Sequence, residues 1–120
     1  MKAFLSHSTK DKPLVEEVAV HLGRQFCLYD KFSFDSGEEF GSAIKRCLSE
    51  SAVFVLFASR NSNSSTWVKF EIEEALEHKV RETIQKSLVY IIDDDFQLDE
   101  IPEWLRKGLI KRGTSPKVIA

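Results

Sequence analysis

Several motifs that mark nucleotide-using and hydrolytic enzymes are missing from this sequence. No Gly-x-Gly-x-x-Gly follows the first predicted strand, so the usual dinucleotide fingerprint is absent. There is also no Gly-Lys-Ser/Thr phosphate loop and no Gly-x-Ser-x-Gly nucleophile elbow. The histidines and cysteines show no metal-ligand spacing, so no metal site is expected. The function must therefore be sought outside these common enzyme classes.

Long apolar runs and long basic runs are absent as well. No stretch approaches the ~20 apolar residues of a membrane span. The net charge is −2 and the basic residues are scattered, so neither a membrane nor a nucleic acid is expected as a partner. Cys27 and Cys47 each lie in an apolar pattern, which favours buried free thiols in a reducing cytosol. We expect no signal peptide and a cytoplasmic location.

The apolar runs that are present predict the strands of a single domain. A chain of 120 residues can form one core but not two. The run over residues 52–58 is continuously apolar rather than alternating, which predicts a central strand covered on both faces. Shorter runs predict buried strands at residues 2–6, 26–29 and 88–92, and an edge strand at residues 109–110.

Helical patterns fill the segments between these strands, apart from a polar and aromatic loop expected at residues 30–37 and a polar loop expected at residues 60–65. This alternation predicts a parallel sheet with helices on both faces. The predicted helices open at Ser8 or Thr9, at a capping box over residues 36–39, and at Ser64 or Ser65, with a short helical turn at residues 102–107.

The third helix is expected to continue with breaks to about Lys86. Each of the three longer predicted helices has an apolar inner face. The inner positions recur at helical spacing. They are Leu14, Val15, Val18 and Leu22 on the first helix, Phe40, Ala43, Ile44, Cys47 and Leu48 on the second, and Val68, Ile72, Ala75 and Leu76 on the third.

The start of the third helix carries a candidate site. Trp67 and Glu71 are four residues apart, so they lie on one face of the helix. They are a possible site, or else a boundary aromatic beside a solvated acid, and Glu74 is the main alternative carboxylate. Asp93 and the two aspartates after it fit either a cation site or a solvated loop. Ligands bind at the carboxyl edge of such sheets, where Ser6, His7 and residues 30–36, 59–67 and 93–96 are expected.

Four segments, in order and correctly spaced, match one family. They are residues 3–7, ending in Ser-His, residues 30–38 with their Ser-Gly-Glu, the strand 52–59 ending in Ser, and the Ser-x-Trp-x-x-x-Glu pattern of residues 65–71. Over residues 2 to about 92 the chain resembles a TIR (Toll/interleukin-1 receptor/resistance) domain of the prokaryotic NADase type. The resemblance implies one TIR domain over residues 1–120. Its fold would be a flavodoxin-like three-layer α/β sandwich with a parallel sheet of about five strands.

The resemblance also implies an activity. Enzymes of this kind are NAD+ nucleosidases that release nicotinamide and leave ADP-ribose or a cyclic ADP-ribose isomer, here as an effector in bacterial anti-phage immunity. NAD+ is the substrate, and no cofactor is expected. Glu71 matches the catalytic glutamate. The residues implied in substrate binding are Trp67, Phe4, Ser6, His7, Asp30 and Phe34.

A single carboxylate is chemically sufficient for this reaction. Nicotinamide leaves a cationic pyridinium as a neutral molecule, so no general acid is needed, unlike the two carboxylates of ordinary glycosidases. One fixed carboxylate can stabilise the oxocarbenium-like transition state.

Self-association is the expected mode of activation, with other TIR domains as partners. The implied association loop contains Phe32, Phe34, Ser36, Gly37 and Glu38. Ser115-Pro116 predicts a helix that is cut short, so more protein is expected to follow the chain. The resemblance implies that this further protein is a sensor domain. The alternatives are a TIR scaffold without catalysis and a bacterial virulence mimic of host TIR domains.

Overall fold

The structure, a computed structural model, describes residues 2–23, 27–28, 46–63, 65–81, 84–93 and 96–113, with the backbone alone at residues 9, 27, 28, 66, 67 and 98. These residues form one parallel sheet in the order β2-β1-β3-β4-β5. The strands are β1 (Ala3–Ser6), β2 (Cys27–Leu28, two residues), β3 (Val53–Ala58), β4 (Lys86–Ile91) and β5 (Leu109–Arg112). The predicted central strand and the predicted edge strand are both confirmed.

Helices and short 3₁₀ turns connect the strands. The helices are α1 (Lys12–Leu22), α2 (46–49), α3 (Arg60–Asn63), α4 (Thr66–Val80) and α5 (Glu103–Arg106), with 3₁₀ turns at Thr9–Asp11 and Leu98–Glu100.

Both faces of the sheet are covered, as the continuous apolar character of β3 predicted. Phe54 and Leu56 pack on one face with Val68 and Ala75 of α4. Val55 and Phe57 pack on the other face against α1, whose buried residues are Val15, Val18 and Ala19. Successive strand residues point to opposite faces, so β3 contributes to two separate apolar clusters. The three-layer flavodoxin-like α/β fold is confirmed.

The polar loop predicted at residues 60–65 is wrong, because Arg60–Asn63 forms α3. Ser59 and Ser62 exchange hydrogen bonds: the Ser62 N–H donates to Ser59 Oγ (3.0 Å) and the Ser59 N–H donates to Ser62 Oγ (2.8 Å). The Asp93 carboxylate also accepts the Arg60 N–H at 2.7 Å. These bonds satisfy free N–H groups at the start of the turn, which an isolated polar segment would leave to water.

Two helix boundaries also differ from the prediction. The first helix does not open at Ser8 or Thr9, because a 3₁₀ turn precedes α1. The helix α4 begins after Ser65, whose hydroxyl accepts the Val68 N–H at 3.2 Å, and it ends at Val80 rather than near Lys86. Of the two predicted caps, Ser64 and Ser65, the structure therefore confirms Ser65.

The inner faces of both helices were predicted correctly in part. Leu22 and Leu76, expected inside, are each 39% exposed, while Ala19 takes an inner position on α1. Both outward-turned leucines belong to the last two turns of their helices. The second helix is described from residue 46 onward, and Cys47 and Leu48 are buried as expected. The predicted loop at residues 30–37, the predicted helix start at Ser36 and the predicted helix at Ser115 lie outside the described residues.

Candidate active site

A buried hydrogen bond joins the carboxyl edge of β1 to α4. Ser6 is the last residue of β1 and is fully buried. Its hydroxyl donates to Glu71 Oε1 at 2.8 Å, across 65 residues of sequence. Glu71 lies in the second turn of α4 and is 7% exposed. The structure therefore brings together two of the residues that the sequence predicted for one site.

Burial dominates the electrostatics of Glu71. Removing the carboxyl group from water disfavours its charged form and raises its pKa from an ordinary 4.5 to about 8, and the Ser6 hydrogen bond lowers the pKa by a smaller amount. At neutral pH this group holds its proton in the substrate-free chain. A carboxyl group with so large a shift, at the ligand-binding edge of a sheet, is typical of a functional site.

The other acids of α4 are placed differently. Glu73 and Glu77 are exposed, and Glu74 is half-buried. Glu71 lies between Val68 and Ala75, both fully buried, on the face of the helix that packs against the sheet. The main alternative, Glu74, thus lacks the enclosure that distinguishes Glu71.

His7 and Ser8 continue the chain beyond Ser6 and are both buried. His7 Nδ1 lies 2.9 Å from the Leu5 carbonyl oxygen. Because a carbonyl oxygen can only accept, Nδ1 carries the hydrogen and donates it. This bond fixes the orientation of the ring beside Ser6.

The remaining predicted site residues fall into two groups. Phe4 is 2% exposed and its ring stacks on Phe54, with centroids 6.0 Å apart, so it belongs to the core beneath the site. Trp67 lies in the first turn of α4, one turn before Glu71, and its backbone alone is described. The other predicted residues lie outside the described part of the chain: Asp30, Phe32, Phe34, Ser36, Gly37 and Glu38. The roles of all these residues stay predictions.

A second polar cluster at the same edge was missed by the sequence reasoning. Asp11 Oδ2 accepts the Ser59 hydroxyl at 2.5 Å, and Asp11 Oδ1 accepts Nδ2 of Asn61 at 3.1 Å. The bonds connect the segment that follows β1 (residues 7–11) with the segment that follows β3 (residues 59–63, which includes α3). We call these segments the turn after β1 and the turn after β3. The available signal was that both segments follow neighbouring strands at their carboxyl ends and carry complementary donors and acceptors.

Asp93 has a structural partner. Its carboxylate accepts the backbone N–H of Arg60, as described above, so the interpretation as a solvated loop is incomplete. No group of three or more histidine, cysteine, aspartate or glutamate side chains within the described ranges could hold a metal ion.

Two pockets are lined by described residues, and Glu71 lines neither of them. One, of about 170 Å³, lies between α4 and the segment after β4 and is lined in part by Val68, Phe96 and Ile101. The other, of about 420 Å³, lies at the amino-terminal ends of β3, β4 and β5, beside Trp104 and Lys107. Neither of these two pockets is lined by Ser6. No helix in the described part of the chain is long and apolar enough to cross a membrane.

The chain belongs to the TIR domain family. The sequence model of the TIR domain matches residues 3–113, which include every strand described above and the Ser6–Glu71 pair. The family assignment from the four sequence segments is thus confirmed.

Among solved structures, the chain is similar to the TIR domains in the activated Roq1 resistosome that directly recognises the pathogen effector XopQ. The identity is 25% and the TM-score is 0.58, and the match covers 77% of this chain and 58% of the Roq1 chain. The match therefore spans little more than half of the length of that chain. A search of curated proteins found no match.

Proposed function

We propose that this TIR domain cleaves the bond between ribose and nicotinamide in NAD+, with Glu71 as the catalytic carboxylate. The observation that carries the proposal is the enclosed Ser6–Glu71 hydrogen bond at the carboxyl edge of the sheet. A solvated acid would give a developing cation little help, because water screens it. An enclosed carboxylate acts in a medium of lower dielectric, where its charge stabilises an oxocarbenium-like transition state more strongly.

The proton on Glu71 is consistent with this role when the charge of the substrate is considered. The nicotinamide ring of NAD+ is a cation, and a cation close to a carboxyl group favours its ionised form. Substrate binding therefore lowers the Glu71 pKa and releases the proton. When the bond to the ribose breaks, the pyridinium takes the bonding electron pair and leaves as neutral nicotinamide. The positive charge passes to the ribose, where Glu71 opposes it.

The products follow from what captures the ribose cation. Attack by water, which then loses a proton to the solvent, gives ADP-ribose. Attack by a nitrogen of the adenine gives a cyclic isomer in which the adenine ring carries the positive charge. In both cases the nucleophile forms the new bond at the carbon that nicotinamide has left.

We further propose that this chain acts as an immune effector in bacterial defence against phage and is activated when TIR domains associate. The similarity to TIR domains of an activated resistosome supports assembly as the active state. The association loop predicted from Phe32 to Glu38 is the segment expected to meet a neighbouring copy. A dispersed chain should then have low activity per molecule, and strict proportionality of rate to protein concentration would count against activation by assembly.

A scaffold that only binds other TIR domains is the second candidate function. The resistosome similarity favours it equally, since assembly alone does not require catalysis. The two functions differ in their need for Glu71: cleavage of NAD+ requires its carboxylate, whereas association between TIR domains does not require catalysis.

The deciding experiment measures NAD+ cleavage by chains tethered at high density on beads. We expect Glu71→Ala to lower the rate by roughly 10²-fold or more, because the main electrostatic stabiliser of the transition state is lost. Glu73→Gln, which changes an exposed acid on the same helix, is the matched control and should retain the wild-type rate. Equal rates for Glu71→Ala and wild type would overturn the catalytic assignment.

A further inference from the structure

Asp11 lies at a helix cap, but its side chain bonds to a different part of the chain. It lies at the N-cap of α1, where aspartate commonly accepts an N–H from the first turn of the helix. Here its side chain makes no such capping bond. Both carboxylate oxygens instead bond to the turn after β3, one to the Ser59 hydroxyl and one to the Asn61 side chain. The carboxylate thus joins two loops that are 48 to 50 residues apart in sequence.

Those two loops lead directly to the two halves of the candidate site. On one side, the Asp11 N–H donates to the Ser8 carbonyl oxygen. Ser8 is the last of three consecutive buried residues that begin with Ser6. Asp11 therefore holds the turn that continues from Ser6.

On the other side, Ser59 belongs to the turn that carries α4. The Ser62 N–H donates to the Ser59 hydroxyl, and the Ser65 N–H donates to the Ser62 carbonyl at 3.1 Å. Ser65 in turn caps α4, which bears Glu71 in its second turn. The Ser6–Glu71 hydrogen bond then connects α4 back to the end of β1, where the turn that Asp11 holds begins.

We propose that Asp11 is a positioning residue that keeps Glu71 enclosed and aligned with Ser6, by tying the turn after β1 to the turn after β3. The catalytic consequence rests on the proposed function, whereas the effect on the enclosure of Glu71 does not. Without the tie, the two turns separate and water reaches the carboxyl group from the edge of the sheet. The geometry of the reacting groups then loosens, and a misplacement of about 1 Å is enough to slow an enzyme markedly.

The test follows the titration of the Glu71 carboxyl carbon by NMR in chains carrying ¹³C-labelled glutamate. The resonance is assigned by its absence in Glu71→Gln. Burial is the main cause of this pKa shift and the Ser6 hydroxyl a smaller, opposing one, so the titration reports the enclosure. Asn61→Ala, which keeps the negative charge of Asp11, should shift the midpoint in the same direction as Asp11→Ala and so separates lost enclosure from lost charge. In Asp11→Ala we expect the midpoint to fall by about one pH unit or more, toward the value of a solvated carboxyl group. We also expect kcat for NAD+ to fall about tenfold, with a smaller change in KM.

The matched control is Ser51→Ala, which removes another buried hydrogen bond, from the Ser51 hydroxyl to the Cys47 carbonyl at 2.8 Å. It should reduce stability and leave the Glu71 midpoint where it is in the wild type. If Asp11→Ala does not fold, Asp11→Asn and Asn61→Ala are measured in the same way, because each weakens the tie and keeps part of it.

An unchanged Glu71 midpoint in the folded Asp11 variant, or an equal shift in Ser51→Ala, would overturn the positioning role. The titration needs no NAD+. A midpoint that shifts in a chain without NAD+ cleavage would contradict the proposed function while supporting the role of Asp11, so the two failures are distinguishable.

Discussion

The raised pKa of Glu71 makes the stability of this chain depend on pH in a definite direction. In the folded chain the carboxyl group holds its proton up to pH about 8, whereas in the unfolded chain it releases it near 4.5. Between these values the folded state binds one proton more than the unfolded state, so the free energy of unfolding falls as pH rises. The stabilising contribution is complete below pH 4.5 and is lost by pH 8. The slope is about 1.4 kcal/mol per pH unit, which gives roughly 4–5 kcal/mol over the interval.

Replacing Glu71 with glutamine isolates this contribution. The amide is neutral at every pH and is close in size to the protonated acid, and its carbonyl oxygen still accepts the Ser6 hydroxyl. The variant and the wild type should therefore have similar stability near pH 4.5. At pH 8.5 the variant should be several kcal/mol more stable, because no charge has to be buried.

The measurement is urea unfolding at pH 5, 6.5 and 8.5 for wild type, Glu71→Gln and Glu73→Gln. The last variant removes an exposed acid and should follow the wild type at each pH. The difference in the free energy of unfolding between Glu71→Gln and wild type cancels the contribution from titration of the other groups. If wild type and Glu71→Gln lose stability in parallel as pH rises, Glu71 is solvated in the folded chain and the reasoning about the site is wrong.

Two further predictions concern local packing. Gly108→Ala should destabilise the chain by roughly 1–3 kcal/mol in urea unfolding, because a Cβ at this position would lie 2.3 Å from Ser87 Oγ and 2.7 Å from the Ser87 carbonyl oxygen. The double variant with Ser87→Gly removes the hydroxyl and should recover only part of the loss, and full recovery would show that the backbone clash is absent. Ser65→Ala should cost about 1 kcal/mol, because the Val68 N–H loses its capping acceptor. Ser49→Ala, at an exposed position, serves as its control, and equal losses would argue against the cap.

The strands could be predicted from the sequence because their signal is local. β3 and the part of β4 from residue 88 onward lie in continuous apolar runs, and such continuity predicts that both faces of the sheet are covered. A serine cap at Ser64 or Ser65 could be predicted as well, since a serine before a helical pattern supplies the acceptor that the helix start needs. The choice of Ser65 came from the structure. The short helix α3 could not be predicted in the same way. One of the bonds that hold it comes from Asp93, 33 residues away in sequence.

The site shows the same division. The pattern of Trp67 and Glu71 could be found from spacing, but an isolated Glu-rich helix does not distinguish Glu71 from Glu74. What distinguishes Glu71 is its hydrogen bond from the Ser6 hydroxyl. Ser6 is 65 residues away in sequence, and the pairing of β1 with β3 places it beside α4, which follows β3 in the chain. Asp11 was missed for a related reason. As a residue before a helix it fits an ordinary cap, and its real partners become visible only when the turn after β3 is placed beside it.

The most direct test of the central claim, that Glu71 is an enclosed catalytic carboxylate, is the rate of NAD+ cleavage by tethered wild type and Glu71→Gln chains from pH 6 to 9. The substrate-free enzyme must lose the Glu71 proton to act. We therefore expect kcat/KM of the wild type to rise with pH, with the midpoint of the rise near pH 8. The glutamine variant should be roughly 10²-fold slower and independent of pH. A glutamine variant as fast as the wild type, with the same pH profile, would contradict the account.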